Sequence, residues 1–117
     1  MDKKDNGESI LELINKLEIN EKVIEKALLE FQEKKITISA YMHSSVDSTI
    51  CISQLDWTYL IGLNEQKYIY ISEHPFEARI GNNLIFDVDN IDEVEYNKNT
   101  LRIWFKDGLR IYICNEN

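Results

Sequence analysis

The hydrophobic pattern of this chain changes its period at Ile36, and this change constrains the fold more than any other feature. Before Ile36, apolar residues recur every three or four positions, which is the spacing of one face of a helix. From Ile36 to Cys114, apolar and polar residues alternate, and β-branched and aromatic side chains dominate, as in antiparallel strands. This order of patterns predicts an α+β domain in which helix packs on sheet.

The N-terminal pattern predicts one or two short helices over residues 9–34, after a disordered tail over residues 1–8. Ser9 and Glu12 have the spacing of a capping box, in which both side chains accept hydrogen bonds from backbone amides of the first turn. Asn20 interrupts the apolar set and is a competent N-cap, so two helices with a tight joint are favoured over one. A DNA-binding helix-turn-helix is not favoured, because the second helix presents glutamates where base-reading side chains are needed.

The alternating region predicts six to nine short strands over residues 36–114, in a curved antiparallel sheet or a partly open barrel. Polar turns are expected at residues 44–48, 64–66 and 81–83, and a further strand at residues 76–80. Pro75 marks a break or a sheet edge, because proline cannot donate to a strand ladder. A chain of 117 residues has room for one core only, so residues 1–117 are expected to form a single domain.

Two turn motifs near the C-terminus predict the pairing of the last three strands. The first is a three-residue loop, Lys106-Asp107-Gly108, with Gly108 in the left-handed conformation, and the second is a two-residue turn at Lys98-Asn99. Both turns place the same apolar side chains on one face, and that agreement supports the register. These side chains are Val94, Tyr96, Leu101, Ile103, Phe105, Leu109, Ile111 and Ile113.

The opposite face of these three strands is predicted to carry charged and aromatic side chains. Its members are Glu93, Glu95, Arg102, Trp104, Arg110 and Tyr112. In this register Arg102 lies between Glu95 and Tyr112, and Trp104 lies between Glu93 and Arg110. Three interpretations are open: a solvated face with cross-strand ion pairs and an Arg-on-Trp contact, a face covered by the helices, or a partner-binding surface rich in Trp, Tyr and Arg.

Acidic residues outnumber basic ones by 21 to 13, which gives a net charge of −8. Residues 36–117 contain twelve of the acids and six of the bases, so most of the excess belongs to the strand region. Such a charge repels nucleic-acid backbones and anionic lipid surfaces, and it favours a basic protein partner.

Five carboxylates without a basic neighbour lie between Asp87 and Glu95: Asp87, Asp89, Asp92, Glu93 and Glu95. The run begins like an EF-hand calcium loop, but Ile91 and Lys98 stand where two oxygen ligands belong, so no metal site is expected. It is either a solvated acidic strand edge or a patch that captures a basic partner. In the second case these five carboxylates, together with Arg102, Trp104, Arg110 and Tyr112, are the candidate partner-binding residues.

The sequence contains no motif for catalysis. His43, His74, Cys51 and Cys114 match no zinc spacing, and neither a nucleophile motif nor a glycine-rich phosphate loop is present. We therefore expect no catalytic residue, no metal and no cofactor. The cysteines are expected to be free thiols, since the chain has neither a secretory signal pattern nor an apolar run of the ~18 residues that cross a bilayer. These features indicate a cytoplasmic protein without a membrane partner.

The segment from Ile91 to Ile113 resembles the later strands of pleckstrin-homology-like and GRAM-like barrels. Those strands also have a hydrophobic pair before a strand and an Asp-Gly hairpin near the end. The barrels finish with a C-terminal helix, whereas no helical pattern follows Cys114 here, so no family is assigned. The resemblance implies a small-ligand or lipid-headgroup site at the mouth of a barrel, near the tyrosine-rich strand at residues 68–70.

Small size, acidic charge and the lack of catalytic motifs favour a non-enzymatic protein-binding module with a basic partner. Inhibitors and immunity proteins are examples of this class. The alternative is the small-ligand or lipid-headgroup module on a pleckstrin-homology-like barrel. A third hypothesis is a structural subunit that adds an edge strand to a neighbour.

Overall fold

A computed structural model describes residues 3–42, 45–73 and 83–116. Within these residues the chain forms one helix, α1 (Lys3–Phe31), and eight strands. The strands are β1 (Ile36–Met42), β2 (Ser45–Ile52), β3 (Leu55–Ile61), β4 (Lys67–Glu73), β5 (Leu84–Asp87), β6 (Ile91–Asn97), β7 (Thr100–Phe105) and β8 (Leu109–Asn115). Two 3-10 turns, Leu63–Glu65 and Val88–Asn90, follow β3 and β5. The predicted α+β class is confirmed.

The N-terminal region forms a single helix, and the predicted pair of helices with a joint at Asn20 is wrong. Asn20 lies inside α1, where its Nδ2 donates to the backbone oxygen of Asp92 at 3.4 Å instead of capping a second helix. The helix also begins at Lys3, within the predicted tail, rather than at Ser9. Once a helix is nucleated, each added residue contributes a hydrogen bond, and Lys and Glu are good helix formers.

The strands form two antiparallel sheets instead of one. The larger sheet has the order β2-β1-β8-β7-β6 and the smaller has the order β3-β4-β5. At the start of β3, Leu55 is hydrogen-bonded to the residues that follow α1: its amide donates to the oxygen of Lys34 at 3.0 Å, and its own oxygen accepts from the amide of Glu33 at 2.7 Å. The rings of Phe86 on β5 and Phe105 on β7 pack edge to face, with 5.6 Å between their centroids. This contact joins the inner faces of the two sheets.

The apolar stripe of α1 packs on the inner faces of both sheets. Ile24, Ala27, Leu28 and Phe31 are fully buried, and their spacing is that of one helix face. Each large aliphatic or aromatic side chain buried in this way contributes about 1.5–3 kcal/mol. The other buried residues of the same core are Ile36, Ile38, Ile52, Leu55, Ile69, Ile71, Phe86, Val88, Ile91, Leu101, Ile103, Phe105, Ile111 and Ile113.

The predicted register of the last three strands is confirmed. Lys98 and Asn99 both have positive φ, at 49° and 67°, as a two-residue type I′ turn requires. Gly108 has φ 96°, and its amide donates to the oxygen of Phe105 at 3.1 Å. Leu101 is paired with Tyr96 on one side and Ile113 on the other, so the apolar face forms as expected.

Other local predictions have mixed outcomes. The turn predicted at residues 44–48 is shorter, because β2 already begins at Ser45. His43, His74, Pro75 and the strand predicted at residues 76–80 lie outside the described residues, as does most of the hairpin turn predicted at residues 81–83. In the described part of the chain, no helix combines the length and apolarity needed to cross a membrane.

Candidate interaction surfaces

The outer face of the larger sheet carries the predicted charged and aromatic side chains, in rows that cross its strands. Trp104 is paired with Glu93 on β6 and with Arg110 on β8, and Arg110 is paired in turn with Tyr41 on β1. The next row contains Glu95, Arg102 and Tyr112. We call this surface the aromatic face: Tyr41, Glu93, Glu95, Arg102, Trp104, Arg110 and Tyr112.

Side chains of the aromatic face contact one another. The ring of Tyr112 lies 4.9 Å from that of Tyr41 and 6.3 Å from that of Trp104, measured between centroids. The guanidinium of Arg102 lies 5.5 Å from the Tyr112 ring, and the guanidinium of Arg110 lies 5.2 Å from the Tyr41 ring. These arginine contacts involve tyrosine rings, whereas the sequence predicted a contact with tryptophan.

Helix α1 lies on the other side of the larger sheet. The ring of Phe31 on α1 packs edge to face against the ring of Tyr96, with 5.6 Å between their centroids. Tyr96 belongs to the inner face of β6. Successive residues of a strand point to opposite faces, and the neighbours of Trp104 on β7, Ile103 and Phe105, are buried in the core. The interpretation in which the helices cover the Trp104 side is therefore wrong.

The five carboxylates from Asp87 to Glu95 do not form one surface. Asp87 acts as the cap of the second 3-10 turn: its Oδ1 accepts from the amide of Asp89 at 2.9 Å, and its Oδ2 accepts from the side-chain amide of Gln66. Asp87 is thus held by local structure beside the smaller sheet. Asp89 lies in the same turn with an exposed side chain.

The other three carboxylates lie along β6. The Lys16 ammonium on α1 is 3.8 Å from Asp92 and 3.9 Å from Glu93, and these are exposed ion pairs that contribute little to stability. Glu95 accepts from Arg102 Nη1 at 2.9 Å on the aromatic face. The acidic stretch is therefore divided between the end of the smaller sheet and the edge of the larger one.

A second exposed surface was not predicted from the sequence. Three large apolar side chains lie on or beside the outer face of the smaller sheet: Leu60, Leu63 and Ile85, which we call the apolar patch. The near-continuous apolar run at residues 59–63 is typical of a strand buried on both faces, so the sequence pattern points to burial here. The sequence pattern identified neither Tyr41 on the aromatic face nor the residues of this patch. Their positions depend on strand pairings between segments that are distant in sequence.

A cluster of titratable side chains joins α1 to the smaller sheet. The hydroxyl of Tyr59 donates to Glu25 at 2.5 Å, and the Lys67 ammonium donates to Glu21 at 2.9 Å while lying 4.2 Å from the Tyr59 ring centroid. Burial raises the pKa of Tyr59 above its ordinary value, and the hydrogen bond and charge of Glu25 add to this effect. Because a raised pKa leaves very little phenolate at neutral pH, Tyr59 acts here as a hydrogen-bond donor that holds α1 against the smaller sheet.

Tyr96 joins α1 to β6 in the same way. Its hydroxyl donates to the carboxylate of Glu30 on the helix. Partial burial raises the pKa of Tyr96 to about 12, with the hydrogen bond and the charge of Glu30 as further causes. Both tyrosines therefore remain protonated donors at neutral pH.

The structure also locates the residues considered for metal or small-ligand binding. Within residues 3–42, 45–73 and 83–116, no three His, Cys, Asp or Glu side chains are grouped closely enough to hold a metal ion. Cys51 and Cys114 are not joined by a disulfide, and Thr37 stands between them in the sheet as the partner of both. Tyr68 and Tyr70, predicted at a barrel mouth, alternate with the buried Ile69 and Ile71 and so lie on the outer face of β4.

Comparisons with known proteins add nothing to these observations. No family model, no curated protein and no solved structure matches this chain. The function must therefore be argued from the surfaces themselves.

Proposed function

We propose that this protein is a non-enzymatic binding module that captures a basic protein partner on its aromatic face. The observation that carries the proposal is the position of Trp104, Tyr112 and Tyr41 on a sheet face that α1 leaves uncovered. Trp, Tyr and Arg are the residues most enriched among the side chains that dominate protein interfaces. Inhibitors and immunity proteins act in this way, and a cytoplasmic location belongs to the same proposal.

The aromatic face is also arranged in advance of binding. The ring–ring contacts and the Arg102–Glu95 pair restrict the side-chain rotamers before a partner arrives. Ordering a flexible side chain at an interface costs about 0.5–1.5 kcal/mol, and side chains that are already ordered avoid much of this cost.

The charge of the surroundings determines the kind of partner. Glu93 and Glu95 are the members of the aromatic face that lie on the edge strand β6, Asp92 lies at the same edge, and the net charge of the chain is −8. Opposite charges accelerate association and exclude like-charged competitors. The favoured partner is therefore a protein with a basic surface.

The proposal can be tested by affinity capture from an extract of the organism that encodes the chain. We expect the wild-type protein to retain a basic protein at about 50 mM salt and to release it at about 300 mM, because screening shortens the range of charge attraction. Tyr112→Ala should abolish capture. Tyr70→Ala, a half-buried tyrosine on the outer face of the other sheet, is the matched control and should retain the partner.

Three results would contradict the proposal. They are an extract that yields no retained protein, capture that is insensitive to salt, and a Tyr112→Ala variant that retains as much partner as Tyr70→Ala. Circular dichroism of each variant establishes that the variant is folded before its capture is compared.

A further inference from the structure

The apolar patch is a continuous surface at the end of the smaller sheet where β3 turns into β4. The exposed fractions of its residues are 41% for Leu60, 91% for Leu63 and 51% for Ile85. Single exposed apolar residues are common on protein surfaces, but contiguous ones mark interaction sites. The patch lies outside the aromatic face and contains none of its residues.

Packing and strand pairing connect these side chains to one another. Leu60 is the cross-strand partner of Tyr68, and Ile85 is the partner of Tyr70 two residues further along β4. A Cβ at Gly62 would stand only 3.0 Å from the ring of Tyr68, so this ring lies directly against the corner that carries Leu63. The two tyrosines therefore fill the space between the exposed aliphatic side chains.

The corner holds Leu63 in solvent at an energetic cost. Asn64 and Glu65 both have left-handed backbone, with φ 62° and 61°, a conformation that asparagine tolerates but that is unfavourable for glutamate. The amide of Gly62 donates to the oxygen of Gln66 at 2.7 Å, and the side chain of Gln66 donates to Asp87, so the corner is tied to its neighbours. The turn therefore leaves the Leu63 side chain in solvent, where it gains no stabilisation from burial within this chain. Backbone strain of this kind is typical of functional sites.

Carboxylates border the patch. Asp87 is the cross-strand partner of Tyr68, Glu65 lies in the turn beside Leu63, and Asp89 follows in the second 3-10 turn. Lys67 is the one basic residue in β3, the first turn, β4 and β5, and it is bound to Glu21 of α1. A second copy of this chain would bring like charges face to face, which is unfavourable.

We propose that the apolar patch docks a second protein segment whose apolar side chains are flanked by Lys or Arg. Its leucine-sized side chains cover Leu60, Leu63 and Ile85, and its cations meet Glu65 and Asp89. Phe86 and Phe105 contact each other between the inner faces of the sheets, so the two outer faces point away from one another. A segment on the patch therefore leaves the aromatic face accessible.

The test uses a synthetic helical peptide with leucines on one face and lysines on the other, and a matched peptide with glutamate in place of lysine. Binding to the full chain is followed by ¹⁵N-edited NMR, which locates the bound surface. We expect the lysine peptide to shift the amides of residues 60–65 and 84–89, and the glutamate peptide to shift none. Raising the salt to about 300 mM should weaken binding.

Two variants locate the contact and a third is the control. Leu63→Ser combined with Ile85→Thr should weaken lysine-peptide binding about tenfold or more, which corresponds to the loss of about 1.4 kcal/mol. Leu63→Ser alone should also weaken lysine-peptide binding, and this single variant provides the test if the double variant does not fold. Leu29→Ser removes a leucine that is 64% exposed on α1 and should leave binding unchanged.

Other outcomes overturn the proposal. Equal binding of the two peptides would show that charge does not select the occupant. Shifts confined to the amides around Trp104, or unchanged binding by Leu63→Ser, would place the contact elsewhere. A wild-type dimer in sedimentation that Leu63→Ser dissociates would identify a second copy as the occupant.

Discussion

Replacement of Gly108 by alanine tests the turn that sets the register of β7 and β8. Gly108 has φ 96°, a conformation that residues with a Cβ rarely adopt. A Cβ placed there would meet no atom within 4 Å, so its cost comes from the backbone conformation alone. The expected loss is about 1–2 kcal/mol in the free energy of unfolding. For a chain of this length that corresponds to a fall of roughly 4–8 °C in Tm.

Urea unfolding followed by far-UV circular dichroism and tryptophan fluorescence measures this loss. Gly108→Asn is the matched control, because asparagine tolerates left-handed backbone better than alanine, and it should cost less. The turn places Trp104 and Tyr112 on the same outer face, and a slip of β8 by one residue would move Tyr112 to the core side. A loss below about 0.5 kcal/mol for Gly108→Ala, or an equal loss for Gly108→Asn, would refute the argument from backbone strain.

Three further predictions concern packing, pH and the thiols. Phe31→Ala should cost about 3–5 kcal/mol in urea unfolding, because Phe31 is fully buried, whereas the exposed Leu29→Ala should cost less than about 0.5 kcal/mol. The pKa of Tyr96 is raised to about 12 in the folded state, against 10 in the unfolded state. The stabilisation from the protonated Tyr96 is therefore complete below pH 10 and is lost as the pH rises to 12. Tyr96→Phe should flatten the plot of unfolding free energy against pH over that range. Cys51 and Cys114 are two strands apart, roughly 10 Å, so non-reducing mass spectrometry of the oxidised monomer should find no bond between them.

The sequence predicted local structure well where neighbouring segments pair. The turns at Lys98-Asn99 and at Gly108 join adjacent strands, so turn chemistry and alternation together determined which side chains share a face. The two turns predict that Trp104 and Ile103 lie on opposite faces, but they do not predict which of the two faces α1 covers.

Features that depend on distant segments could not be predicted. Tyr41 joins the aromatic face because β1 pairs with β8, and nothing in either strand specifies that choice of partner. The apolar run that includes Leu60 and Leu63 is exposed because β3 belongs to a separate, smaller sheet. Asn20 has the chemistry of a helix cap, but a tertiary contact with the backbone of Asp92 occupies it instead.

The pairing of β1 with β8 also bears on how the protein is made. Thr37 and Glu116, whose side chains hydrogen-bond across this junction, are 79 residues apart in sequence. Contacts of such separation form slowly, because the loop between them must close before they contribute any stability. A ribosome-bound chain would expose the free edge of β1 until β8 emerges, and Tyr41 would meet Arg110 only after β8 has been synthesised. The aromatic face, and with it the proposed partner site, is therefore complete only after β8 has paired with β1.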